Sequence, residues 1–106
     1  MTEVKIEALD QVQLWNGPAG EAWVAMQAQL DRLFAPFEAL LVSAVRWHRP
    51  ARVLDIGCGT GATTLAIARE LAGRGSCTGA DLSQIMIDRA RERAAAEPDA
   101  VAAAFV

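Results

Sequence analysis

The sequence contains a single histidine, His48, and only two cysteines, Cys58 and Cys77. The cysteines do not form a CxxC pair, and one histidine cannot complete a tetrahedral set with them, so no metal site is expected. Both thiols are expected to be reduced and to serve packing or loop geometry. His48 stands just before Arg49-Pro50 and reads as a loop residue. No apolar run approaches the roughly 18 residues of a membrane span. Residues 1–10 carry Glu3, Glu7 and Asp10 against a single Lys5, without the apolar core of a signal peptide. No membrane partner is expected, and a cytoplasmic location is the default expectation. Basic residues are not in excess: 10 Lys plus Arg face 13 Asp plus Glu, a net charge of -3. That balance argues against a nucleic-acid partner, which calls for a basic stripe. What remains is a chain of 106 residues, 53% hydrophobic and 22% charged, enough for one domain with a buried core.

Hydrophobic spacing divides the chain. Ile6, Leu9, Val12 and Trp15 recur at helical intervals over residues 5–15, and Asn16-Gly17-Pro18 marks a turn. Trp23, Met26, Leu30, Leu33 and Phe34 predict a helix over 20–34. Pro36 fits best in a first turn, which predicts a separate helix over 36–47 burying Phe37, Leu40, Leu41, Ala44 and Val45. Arg52 to Ile56 reads as a strand that runs into the glycine-rich Gly57-Cys58-Gly59-Thr60-Gly61. A helix follows, with Leu65, Ile67, Ala68, Leu71 and Ala72 on its buried face, and Gly73 and Gly75 supply a left-handed end. Residues 76–81 form a second strand, Ser83 caps a helix over 84–97, and residues 101–106 begin a third strand. In the last helix Met86, Ile87, Ala90 and Ala94 face inward, and Arg89, Arg91, Glu92 and Arg93 read as a solvated face. The order is a helical cap over 1–48 and a β-α-β-α-β unit over 51–106. This is an α/β fold, the first half of a Rossmann-like doubly wound parallel sheet.

The glycine loop invites a ligand. Glycine tolerates positive φ and close approach, and the next helix presents unpaired N–H groups to an anion. Gly57-x-Gly59-x-x-Ala62 also satisfies one form of the dinucleotide fingerprint, so a nicotinamide-dinucleotide fragment of an oxidoreductase is an alternative. Asp81, at the end of the second strand, stands where a carboxylate accepts ribose hydroxyls in either class. Asp55 separates the two readings. A carboxylate two residues before the first glycine would repel a pyrophosphate and attract a cationic amino group. It is otherwise a strand-end acid that holds nearby backbone donors.

Val53-Leu54-Asp55-Ile56-Gly57-Cys58-Gly59-Thr60-Gly61 closely resembles the first motif of class I S-adenosylmethionine-dependent methyltransferases. Gly79-Ala80-Asp81-Leu82-Ser83 and the helix after it are similar to that family's second-strand region, and residues 15–23 resemble the N-terminal cap of its small-molecule, quinone-type members. The resemblance implies S-adenosyl-L-methionine as cofactor and a small-molecule methyl acceptor. It implies that Asp55, Gly57 and Gly59 hold the methionine part, that Cys58, Thr60 and Gly61 line the loop, and that Asp81 accepts the ribose hydroxyls. Leu82 and Met86 would lie against the adenine, and Trp15 or Trp23 would cover the methionine side or serve core packing. No general base is visible. Family members run further, through a fourth strand and the acceptor loops. The chain is therefore expected to be an N-terminal portion, inactive by itself and self-associating as a homo-oligomer through open strand edges or its N-terminal helices. A non-catalytic, self-associating fragment is the remaining alternative.

Overall fold

The computed structural model describes residues 10–100 and 102–106. The readings at Ile6, Leu9 and Val101 lie outside them. Residues 10–15 are helical, α1, and a turn at Asn16 and Gly17 leads into α2, Pro18–Ala25. The structure continues with α3 (Gln27–His48), β1 (Arg52–Ile56), α4 (Ala62–Leu71), β2 (Ser76–Ala80), α5 (Gln84–Ala95), a short 3-10 turn (Pro98–Ala100) and β3 (Ala103–Phe105). Pro18 sits in the first turn of α2, where its missing N–H has no helical partner to lose.

The break between the long helices falls at Met26, ten residues before the expected one at Pro36. Met26 serves both helices: its N–H reaches Ala22 O (2.9 Å) and its carbonyl accepts from Leu30 N (3.0 Å). Pro36 lies inside α3. It deprives the Arg32 carbonyl of a donor, but Arg32 is exposed, so solvent can reach that carbonyl. The expected buried face of this helix is also corrected. Phe37 is 62% and Leu40 68% exposed, and Ala44 and Leu41 are exposed too. The residues that meet the core are Val42 and Val45, because α3 lies along α4 and turns its Leu33–Phe37–Leu40 side away. The helix ends at Arg49, left-handed at φ 50°, whose N–H closes on Val45 O.

The three strands are parallel in the order β1-β2-β3. Register places Val53 beside Cys77 beside Ala103, and Asp55 beside Gly79 beside Phe105, on one face. The helices cover that face. Val45, Ile67, Ala68, Leu71 and Cys77 form one cluster and Leu65, Ile87, Ala90 and Phe105 another. On the opposite face Leu54, Ile56 and Val106 are exposed. This one-sided β-α-β-α-β layout is what the first half of a doubly wound sheet requires.

Of the two glycines expected to be left-handed, Gly73 is and Gly75 is not. The left-handed end of α4 is formed by Ala72 (φ 48°), which is exposed, followed by Gly73 (φ 81°). Gly75 has no positive φ; it is needed because any side chain there would collide with the backbone of Ala51. Gly79 is closely packed between side chains of the core: a Cβ there would fall 2.7 Å from Thr64 Oγ1 and 2.8 Å from Cys58 Sγ. Gly79→Ala should therefore destabilise the fold by about 1–3 kcal/mol through overpacking. Urea denaturation should show that loss, whereas Gly73→Ala, with open space around the added methyl group, should show only the smaller cost of left-handed backbone.

Candidate functional site

The C-terminal ends of β1 and β2 open onto a cavity of about 550 Å³, within the range of small-ligand sites. Gly57, Gly59 and Asp81 form its polar side. Leu82 and Met86 form an apolar floor, Trp15 and Trp23 a wall, and Ile56, Ala80 and Val106 complete it. Gly57 (φ 71°) and Gly59 (φ 56°) are both left-handed, and a Cβ on Gly57 would meet nothing within 4 Å. The loop backbone therefore presents itself bare to the cavity.

Four of the loop N–H groups, those of Gly57, Cys58, Gly59 and Gly61, are bonded inside the chain. Gly57 N and Cys58 N both donate to Ala80 O (2.7 and 3.0 Å), and Gly61 N donates to Cys58 O (3.0 Å). Gly59 N donates to Asp81 Oδ2 at 2.8 Å, while Asp81 Oδ1 accepts from Ser83 N at 2.8 Å. A carboxylate has about four lone-pair positions, so Asp81 keeps acceptor capacity for two further donors. Asp55 does not line the cavity. Its side chain points to the helical face, and Oδ2 accepts from the fully buried Thr64 Oγ1 at 2.7 Å. Its charge stands behind the loop, not in it.

A second cavity of about 240 Å³ lies between the loop and α3. Gly57, Gly59 and Trp23 border both cavities, and Cys58, Thr60, Ala62, Thr63, Phe34, Asp31 and Glu38 border the second. Burial raises the Glu38 carboxyl above its ordinary value, with Arg69 opposing and Asp31 adding. Trp15, Trp23, Phe34 and Phe37 form a run of aromatic contacts at 5.9, 6.3 and 6.4 Å between ring centres. The structure thus gathers Trp15, Gly57, Gly59, Asp81, Leu82 and Met86 in the main cavity. Cys58 and Thr60 stand at the second, and Gly61 is buried under the Phe105 ring.

Of the run expected as a solvated face, Arg91 and Glu92 are exposed and Arg89 is partly so, but Arg93 is turned inward at 16% side-chain exposure. Arg93 reaches Asp31 Oδ2 (3.0 Å) and both oxygens of Thr60 (3.1 Å each), tying the loop to α3. Arg89 donates to Gln27 Oε1 (2.7 Å) and Arg91 to Phe105 O (2.8 Å). The signal was available for Arg93, which falls three residues after the buried Ala90 and seven after Met86. Thr64 and Asn16 were also missed. Asn16 read only as a turn, because its partners lie 66 and 68 residues away.

Both thiols are held protonated. Burial, then the Asp55 and Asp81 charges, push Cys58 up to about 12, and burial with Asp55 pushes Cys77 to about 11, from 9.0. The unfolded chain releases these protons near pH 9.0 while the folded chain retains them. The contribution is complete below pH 9 and is lost as pH rises toward 11 to 12. Urea midpoints should fall over that window, and C58A/C77A should show a flatter decline.

The methyltransferase domain family matches residues 53–105, and the chain belongs to that family. Among characterised relatives, it is 37% identical over 57 residues to the ubiquinone/menaquinone biosynthesis C-methyltransferase of Geobacter sulfurreducens, covering 54% of this chain and 22% of that protein. It is 36% identical over 63 residues to the demethylmenaquinone methyltransferase of Symbiobacterium thermophilum, covering 50% of this chain and 25% of that one. The chain thus spans about a quarter of these relatives. A structure from Klebsiella pneumoniae assigned as an O-methyltransferase superposes with a TM-score of 0.62 at 25% identity, over 68% of this chain and 33% of that one. The plantazolicin methyltransferase BpumL, solved with S-adenosylhomocysteine (SAH), shares the fold over 98% of this chain and 42% of its own, with a TM-score of 0.55 and 23% identity. Among the described residues, no helix is long and apolar enough to cross a membrane and no cluster suited to a metal ion is present.

Proposed function

We propose that this chain is the S-adenosylmethionine-binding part of a methyltransferase acting on a small molecule. The observation that carries the reading is the pair of carboxylates, Asp55 and Asp81, that hold a loop whose Gly57, Cys58, Gly59 and Gly61 N–H groups are already bonded. A pyrophosphate at Gly57–Gly61 would meet N–H groups already bonded to Ala80 O, Cys58 O and the Asp81 carboxylate, with Asp55 behind them. That arrangement disfavours a dinucleotide and favours a nucleoside bearing positive charge. The bare cradle at Gly57 and the apolar floor fit such a ligand.

The residues divide the work. Asp81 accepts the ribose hydroxyls on its remaining lone pairs, and Leu82 and Met86 pack against the adenine. The loop backbone at Gly57 and Gly59 passes beside the methionine part. The uncapped start of α4, at Ala62 and Thr63 on the second cavity, offers N–H groups to a carboxylate. Asp55 holds Thr64 and lends its charge through the loop. Trp15 and Trp23 exclude water from one side. Bound there, S-adenosylmethionine supplies a methyl group already activated on a sulfonium, so the protein's task is to hold donor and acceptor in line. No residue is assigned as a base. Because the chain spans about a quarter of its quinone-methylating relatives, we expect it to bind cofactor without turnover by itself.

Isothermal titration with SAH and with NAD tests the reading. SAH should bind and NAD should not. Asp81→Ala should weaken SAH at least about tenfold, since hydrogen bonds to a charged group contribute about 1.5–3 kcal/mol each. Equal affinity in the variant refutes the ribose assignment, and preference for NAD refutes the cofactor.

We also propose that the chain self-associates. Leu33, Phe37, Leu40 and Trp47, 51–84% exposed with Leu41 among them, line one side of α3, and β1 is an open edge. Light scattering at micromolar concentration should give a dimer or larger, shifted toward monomer by Leu40→Glu. A wild-type monomer would refute it.

A further inference from the structure

The α1–α2 turn is joined to the β2–α5 loop by a set of contacts that sequence distance conceals. Asn16 Nδ2 donates to Leu82 O at 2.9 Å and to Val12 O at 2.8 Å. Asn16 Oδ1 accepts from Gln84 N at 2.6 Å. Between these two points the Ser83 hydroxyl donates to Trp15 O. Leu82, Ser83 and Gln84 are thus each held by one of two adjacent residues. Gln84 N is the first N–H of α5 and has no partner within its helix. Ser83 supplies the ordinary cap, accepting from Met86 N at 3.3 Å. Asn16 supplies a second cap from 68 residues away. Gly20 closes the joint, since a side chain there would overlap the Trp15 carbonyl and press on Ile85 Cδ1 at 3.0 Å.

The joint has one consequence for the cavity. It places Trp15, edge-on to Trp23 at 5.9 Å, in the lining that Leu82 and Met86 share. The loop it grips follows directly on Asp81, whose two oxygens already hold Gly59 and Ser83. We propose that Asn16 is a positioning residue for the nucleoside. It fixes the tryptophan wall against the adenine and ribose side of the cavity and couples docking of the N-terminal helices to ligand binding. The inference rests on the cofactor reading above. Asparagine is suited to the task because one side chain must donate to Leu82 O and accept from Gln84 N. Aspartate keeps only the acceptor, and leucine keeps neither.

The coupling is reciprocal: what the joint contributes to binding, the ligand returns to the joint. The experiment uses the W47F chain, since Trp47 is 84% exposed and outside both cavities; Trp15 and Trp23 are then the only tryptophans. SAH is titrated into W47F and W47F/N16L by calorimetry and by tryptophan emission, at a temperature where circular dichroism shows both folded. N16L should bind about tenfold more weakly and lose the emission change that SAH produces in W47F. If N16L does not fold, N16D is measured in its place and should show the same losses in smaller measure. Equal affinity and equal emission change in the variant overturn the assignment and leave the cofactor reading standing. Failure of W47F itself to bind SAH overturns the cofactor reading, and this assignment with it.

Discussion

The Asp81 carboxylate is the point on which the arrangement depends. One oxygen holds the N–H of Gly59 in the first loop and the other the N–H of Ser83 at the start of α5. These two loops follow different strands and have no sequence-local reason to stay together. Hydrogen bonds to a charged acceptor are about twice as strong as neutral ones, so this side chain, with the Ala80 carbonyl beside it, sets the spacing of the two loops. Gly59 can be reached because its backbone is left-handed and carries no Cβ. Ser83 can be held because its own side chain is then free to serve Met86 N and Trp15 O. The ligand-facing backbone is shaped before any ligand arrives, which lowers the ordering cost of binding.

Charge inside this protein does positional rather than cohesive work. The pair between Arg46 and Glu70 at 2.8 Å, with the arginine side chain two-thirds exposed, contributes little to stability. Arg93 is different. Its side chain is 16% exposed and joins α5, the glycine loop and α3 through Asp31 and Thr60. Asp55 and Thr64 join β1 to α4 in the same way. Each tie fixes one side of the loop from Gly57 to Gly61, so the loop is held from β2, α3, α4 and α5 at once.

Much of this was legible in the sequence, and the reasons for success and failure are physical. The strand from Arg52 to Ile56, the glycine loop and the Ser83 cap follow from local preferences, and local preferences decided them. Asp81, Gly57, Gly59, Leu82, Met86 and Trp15, which the family resemblance assigns to the cofactor, line one cavity. Pro36 misled because the cost of an interior proline depends on whether solvent can reach the orphaned carbonyl, which spacing does not reveal. The face of α3 misled because an apolar stripe says that a helix wants cover, not which of its sides receives it. Arg93 and Asn16 were misread for a third reason: each is polar, and its partner lies on another element. Asp55 was read as facing a ligand at the loop, but its side chain lies on the strand's helical face, set by the alternation that also half-buries Val53.

Gly75 lies at the far end of the strands from the cavity, with Ser76 N bonded to Ala51 O at 2.9 Å. It works as a register stop. Parallel strands that slide by one residue exchange their faces completely. A slip of β2 against β1 would bring Thr78 and Ala80 to the helical side in place of Cys77 and Gly79, directly beneath Thr64, where no Cβ fits. Asp81 would turn with them and release Gly59. The accuracy of the binding end is thus set by a close backbone approach at the opposite end of the sheet, where a glycine with no ligand in reach keeps the two strands in step.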